Sequence, residues 1–102
     1  QPLVDIALAR QLTELVANAA GVPAAAEGLN AYGEYRLTNT NGDRNPELAK
    51  LGELRNLLVA GIEPYWEGYL AGDPDCSREY ERRMRALKGV MDAWIALHSP
   101  IS

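Results

Sequence analysis

Between Pro74 and His98 the chain places Cys76, Tyr80, Met84, Leu87, Met91, Trp94 and Ile95 at intervals of three and four, and the next proline is Pro100. This spacing gathers the apolar side chains on one stripe of an α-helix. At ~1.5 Å per residue the helix runs on the order of 35 Å, well beyond the average globular helix. Asp73 or Asp75, on either side of Pro74, supplies its cap, and Ser99 with Pro100 ends it after His98. A stripe that long must be laid on another long helix.

The nearest partner in sequence is the stretch 46–71. Asn45, Pro46 and Glu47 form a helix start: an amide to cap free N–H groups, a proline at the first helical position, and a carboxylate at the positive end of the dipole. Leu48, Leu51, Leu54, Leu58 and Ile62 mark its apolar stripe. Near Pro64 the helix must kink or stop, because proline brings no N–H to the carbonyl four residues earlier. "EPYWEGYLAG" then continues as a bent final turn or a short separate helix closed by Gly72. The two long elements are expected to form an antiparallel hairpin.

Ahead of the hairpin, the stretch 3–20 repeats Val4, Leu8, Leu12, Leu15 and Ala19 at helical spacing. Gly21 can take the left-handed conformation that ends a helix, and Pro23 forbids continuation. Residues 23–45 read as a short helix, "PAAAEGLNAYG", followed by a connector loop; Gly28 weakens that helix by about 1 kcal/mol relative to alanine. The Asn41-Gly42 pair after "EYRLT" suggests a β-hairpin turn, but Asp43, Arg44, Asn45 and Pro46 provide no alternating strand to pair with. The expected fold is therefore all-α: a small helical bundle forming one domain over 1–102, its N-terminal helix packed on a C-terminal antiparallel hairpin (46–71, kinked near 64, and 74–98). A hydrophobic fraction of 47% in 102 residues suits one compact core.

Charge narrows the function classes. The net charge is −4, the opposite of the basic surface with which proteins coat nucleic acid. Through Asp75 there are five bases against eleven acids, and from Cys76 onward five bases against three acids, so the terminal helix carries the local positive balance. Arg78, Arg82 and Arg85 make a surface basic patch there. The Glu79/Arg83 and Glu81/Arg85 pairs have the spacing that supports a solvated helix by about 0.3 kcal/mol each. The patch reads as solvated or partner-facing, not as a nucleic-acid surface.

The single Cys76 can neither close a disulfide within the chain nor assemble a thiolate metal site, and is expected to be a small buried apolar group. No apolar run approaches the roughly 20 residues of a membrane span. A soluble, cytoplasmic domain is expected. Because the chain begins at Gln1 and not at methionine, it is expected to be a processed or trimmed piece, with any upstream domain outside it.

Catalytic chemistry finds little footing. His98 is the only imidazole, and Cys76 and Ser77 lie at the other end of the same helix, about 30 Å away at ~1.5 Å per residue. The Glu-x-x-His pair of bundle metal sites is missing. Asn39, Asn41, Asp43, Asn45 and Glu47 alternate like calcium-loop ligands, but the glycine and the final bidentate acid fall out of register. Nucleotide-binding glycine patterns are absent too. No catalytic residue, metal or cofactor is assigned. Glu63 and Glu67, among Tyr65, Trp66 and Tyr69, support an acid–base enzyme only as a third choice.

The aromatic residues remain the richest constellation. Tyr32, Tyr35, Tyr65, Trp66, Tyr69 and Trp94, with Tyr80 beside them, cluster at predicted helix ends and bends, where amphipathic rings suit interfaces and pockets. Tyr35, Arg36 and Asn41 are further candidates on the connector. The leading expectation is a non-enzymatic protein–protein interaction or dimerisation module, part of a regulator or assembly. The alternative is a regulatory domain that senses a small apolar molecule in a pocket between the hairpin and the first helix, lined by Tyr32, Trp66, Tyr69 and Trp94.

Overall fold

The computed structural model describes residues 2–38 and 44–98. Along them run α1 (Pro2–Asn18), α2 (Pro23–Thr38), α3 (Asn45–Ile62), a 3₁₀ turn (Glu63–Tyr65), α4 (Trp66–Leu70) and α5 (Pro74–His98). The chain is all-α, and the four long helices pack around one core. α1 lies against α2 and α5, and α3 lies against α2 and α5. Leu12 meets Gly33 across the short turn between α1 and α2, Leu54 meets Gly28 while Glu47 meets Tyr32, Trp94 meets Gly52 while Arg83 meets Gly61, and Leu15 meets Gly89 while Gly21 meets Arg83, so each neighbouring pair runs antiparallel. This is an up-down-up-down bundle, 46 Å along its long axis and about as wide as two helices, at 25 × 24 Å. The hairpin of α3 and α5 is present as expected, with the N-terminal helix packed on its α5 arm and α2 on its α3 arm.

α2 departs from the sequence reading. The helix was expected to end at Gly33, yet it continues through "EYRLT" to Thr38, so much of the expected connector is helical. Its glycines are not breaks but notches. A Cβ at Gly28 would lie 2.6 Å from Leu54 Cδ2, and one at Gly33 would lie 2.8 Å from Leu12 Cδ1. Each notch admits a leucine from a neighbouring helix, and the packing gained outweighs the propensity lost. The positions from Asn39 to Asp43, including the Asn41-Gly42 pair and most of the calcium-like alternation, lie outside the described residues, as do Ser99 and Pro100.

The helix ends show how local chemistry sets the boundaries. Gly21 adopts φ +95° between α1 and α2, as its position requires, and Gly72 adopts φ +81° before α5. Asp73 caps α5, its Oδ1 accepting from the backbone N–H of Asp75 at 2.9 Å and of Cys76 at 3.4 Å. At α3 the expected cap is displaced by one residue. Arg44 is the N-cap, Asn45 is already helical, and no side chain closes the cap. Arg44 instead reaches across to the C-terminal end of α5, where Nη1 donates to the Leu97 carbonyl at 3.0 Å. A cation at that end complements the helix dipole and ties the open end of the hairpin together.

α5 carries the largest correction. Its buried residues are Arg83, Ala86 and Val90, none of which belongs to the stripe expected from periodicity. Tyr80, Leu87, Met91 and Trp94 are half-buried, while Met84 and Ile95 are exposed. The reason is the approach of α1. Leu15 seats where Gly89 has no side chain, and this draws the small-residue edge of α5 inward, turning the larger side chains toward α3 and solvent. Arg83, expected to sit in a solvated ion pair, is 5% exposed.

Candidate interaction surface

The outer side of the α3–α5 hairpin holds a groove of about 210 Å³. One wall comes from Val59 and Ile62 of α3, Glu63 of the 3₁₀ turn and Trp66 of α4; the other comes from Tyr80, Met84 and Leu87 of α5. Val59 is 41% exposed, Met84 37% and Trp66 46%. Large apolar side chains are thus left accessible along one groove. The sequence holds a signal for it. Leu57, Leu58, Val59 and Ala60 are consecutive apolar residues on one helix, and a helical turn cannot bury them all.

At one end of the groove the aromatic residues form a platform. Tyr69 stacks on Tyr80 at 4.1 Å with an interplanar angle of 21°, and on Trp66 at 6.0 Å and 23°. Trp66 meets Tyr80 at 5.6 Å and 41°. The turn through Pro64 makes this possible, because the 3₁₀ segment redirects the chain so that α4 lies back along the start of α5. Cys76 packs directly on Gly68 of α4. Partial burial, and then the Asp73 and Asp75 carboxylates, push its thiol pKa up, away from a reactive thiolate.

The other aromatic candidates are elsewhere. Tyr65 lies beneath the Arg83 guanidinium, 4.3 Å from ring centre to Cζ. Trp94 packs on His98 at 5.2 Å near the far end of α5. Tyr35 faces Lys50 Nζ at 5.3 Å. Tyr32 is 3% exposed and belongs to the core. Its hydroxyl donates to Glu47 Oε2 at 2.7 Å, and Arg36 Nη1 donates to the same oxygen at 3.1 Å and to the Tyr32 hydroxyl at 3.3 Å. Burial first, and then the bond to Glu47, raise the Tyr32 phenol from 10.0 to about 12. The buried carboxylate was not anticipated, although Glu47 precedes the Leu48–Leu51 repeat at inward spacing.

Tyr32, Trp66, Tyr69 and Trp94 are thus not brought together around one pocket. Among α1, α2 and the hairpin lies a cavity of about 30 Å³, lined by aliphatic residues including Leu15, Leu29 and Val90 and by the polar groups of Tyr32, Gln11 and Arg36. That volume suits one water. Of the basic patch, Arg78 pairs with Asp75 at 2.8 Å and Arg82 with Glu79 at 3.8 Å, while Arg85 is exposed. Glu63 borders the groove and Glu67 is exposed one turn on. Among the described residues no three His, Cys, Asp or Glu side chains converge as metal ligands, and no helix is long and apolar enough to cross a membrane. Comparison with protein-family models, curated proteins and solved structures returns no match for the chain.

Proposed function

We propose that this domain is a non-enzymatic interaction module that engages a protein through the outer face of its α3–α5 hairpin. The supporting observation is the groove itself. Val59, Trp66 and Met84 remain accessible although the core beneath them, with Leu51, Leu54 and Leu58, is closed. Burying three such side chains at a contact contributes several kcal/mol, at about 25 cal/mol per Å² of apolar surface. The stacked Trp66, Tyr69 and Tyr80 add rigid rings, the residue type that dominates binding energy at interfaces. The small-molecule reading has less behind it, since the aromatic side chains expected to line one pocket are dispersed and the interior cavity is water-sized.

Site-specific photocrosslinking tests the reading. A photoreactive amino acid replaces Val59 in the groove or, as control, Glu53 on an exposed face of α3, and adducts are compared for purified protein and for the producing cells. Defined adducts to a polypeptide, itself or another, are expected at Val59 and not at Glu53, and Met84→Asp should remove them. Adduct formation at Val59 no greater than at Glu53 would end the reading.

A further inference from the structure

The charges bordering the groove repeat on both walls in a pattern that maps onto itself. Arg55 of α3 and Glu63, the first residue of the 3₁₀ turn that continues it, lie four residues before and after Val59, hence on the same side. On α5, Glu81 lies three residues before Met84 and Lys88 four after it, again on one side of the helix. The antiparallel packing sets their levels. Arg83 Nη1 bonds the Gly61 carbonyl at 2.8 Å, so Glu63 and Glu81, each two positions beyond that contact toward the turn, share one level. Arg55 and Lys88 share another, about 6 Å to the other side of Val59 and Met84 at ~1.5 Å per residue. Both sides thus carry an acid beside one end of the groove, where Glu63 lines it, and a base beside the other, where Lys88 also pairs with Asp92 at 2.9 Å. All four residues are exposed. Glu63 and Glu81 make no ion pair among the described residues, Arg55 only bonds the neighbouring Asn56, and Lys88 holds only the exposed Asp92.

Within one chain this places like charges side by side, which is unfavourable. A rotation of 180° about an axis through the Val59–Met84 level reverses it, laying the acidic end of one groove over the basic end of another. We propose that the occupant of the groove is a second copy of this chain, paired about that two-fold axis with Val59 and Met84 at its centre. An isologous contact requires a patch complementary to itself, and opposite charges about one helical turn to either side of an apolar centre provide that. A foreign helix would have no need of the symmetry. The inference rests on the interaction reading above, and it goes further by naming the partner and the register.

Charge reversal tests it on residues whose exposure leaves folding intact. Sedimentation equilibrium of the wild-type chain should show a dimer that weakens as salt is raised. Glu63→Lys/Glu81→Lys makes the rim uniformly basic and Arg55→Glu/Lys88→Glu makes it uniformly acidic; each variant alone should dimerise at least roughly ten-fold more weakly. Mixed together, the two should associate with each other, recovering wild-type strength to within about three-fold. Two uncorrelated reversals, with no recovery on mixing, would overturn the register. A wild-type chain monomeric from micromolar to millimolar would overturn the dimer, and if Val59 still crosslinked to a different polypeptide, the interaction reading would survive alone.

Discussion

The guanidinium of Arg83 and the carbonyl of Gly61 are joined by a 2.8 Å hydrogen bond that pins the middle of α5 to the end of α3. The same side chain meets Glu79 at 3.3 Å and covers the Tyr65 ring, and its buried Nε has no partner among the described residues. One cation thus ties the C-terminal end of α3 to the 3₁₀ turn that starts the aromatic platform, and lies against Gly21 in the turn after α1. Arg83→Ala should destabilise the domain by about 3 kcal/mol, since it removes the bonds to the Gly61 carbonyl and to Glu79, leaving Glu79 only the longer 3.8 Å contact with Arg82, and opens a void. Arg83→Met retains the stem over Tyr65 and should cost less than half of that, on the order of 1 kcal/mol. Urea denaturation of both variants separates packing from charge; equal losses would mean that charge alone matters.

Tyr32 gives the bundle an alkaline limit. Its phenol titrates near 10.0 when unfolded and about 12 when folded. Between those values the unfolded chain binds fewer protons than the folded one, so stability falls as pH rises. The contribution is fully present below pH 10 and is lost as pH climbs through about 12. Among the five tyrosines, absorbance at about 295 nm should resolve one that ionises late. In Tyr32→Phe that component should vanish and the slope of stability between pH 10 and 12 should flatten. A slope unchanged in the variant would refute the assignment.

Two left-handed glycines should differ in their tolerance of alanine. Nothing lies within 4 Å of a Cβ built at Gly72, so Gly72→Ala carries only the backbone penalty, about 1–2 kcal/mol. At Gly21 a Cβ would run into the Arg83 guanidinium. Gly21→Ala should therefore cost at least about 1 kcal/mol more than Gly72→Ala, and with Arg83→Met in the background the two should converge. Thermal melts monitored by circular dichroism measure the difference. Equal losses in the wild-type background would show that the guanidinium yields freely.

Helix propensity and packing give opposite signs at Gly89. In an isolated helix, glycine to alanine gains about 1 kcal/mol. In the bundle, a Cβ at Gly89 would collide with Leu15, whose Cγ and Cδ1 would lie at 3.2 and 3.3 Å. Gly89→Ala is expected to lose about 1–3 kcal/mol by overpacking, with part of the loss recovered by Leu15→Val. A stabilised Gly89→Ala would mean that α1 and α5 are not in this close contact.

Much of the fold was legible because its boundary signals are local. The turn at Gly21, the Asp73 cap and the break at Pro64 each depend on residues adjacent in sequence, and each lies where expected. α2 was cut short because Gly28 and Gly33 weaken a helix considered alone; only the presence of Leu54 and Leu12 makes them notches. The groove was half legible. The sequence groups Tyr65, Trp66 and Tyr69, which are close neighbours in it, and adds Tyr80, Tyr32 and Trp94 on chemical type alone; of these Tyr80 joins the platform, while Tyr32 and Trp94 lie elsewhere along a rod-shaped bundle.

By itself the sequence determined that the chain forms helices, roughly where each begins and ends, and that α3 and α5 make a hairpin. Periodicity and capping act within a few residues, and so survive reading in one dimension. The rotation of α5 about its own axis was decided only in the tertiary structure. Close packing rewards the approach of Leu15 to the side of the helix made of Ala86, Gly89 and Val90, and no hydrophobicity pattern records how near a neighbour can come. That rotation buries Arg83 and leaves Met84 at the surface, which is why the candidate interface became visible only when the helices were assembled.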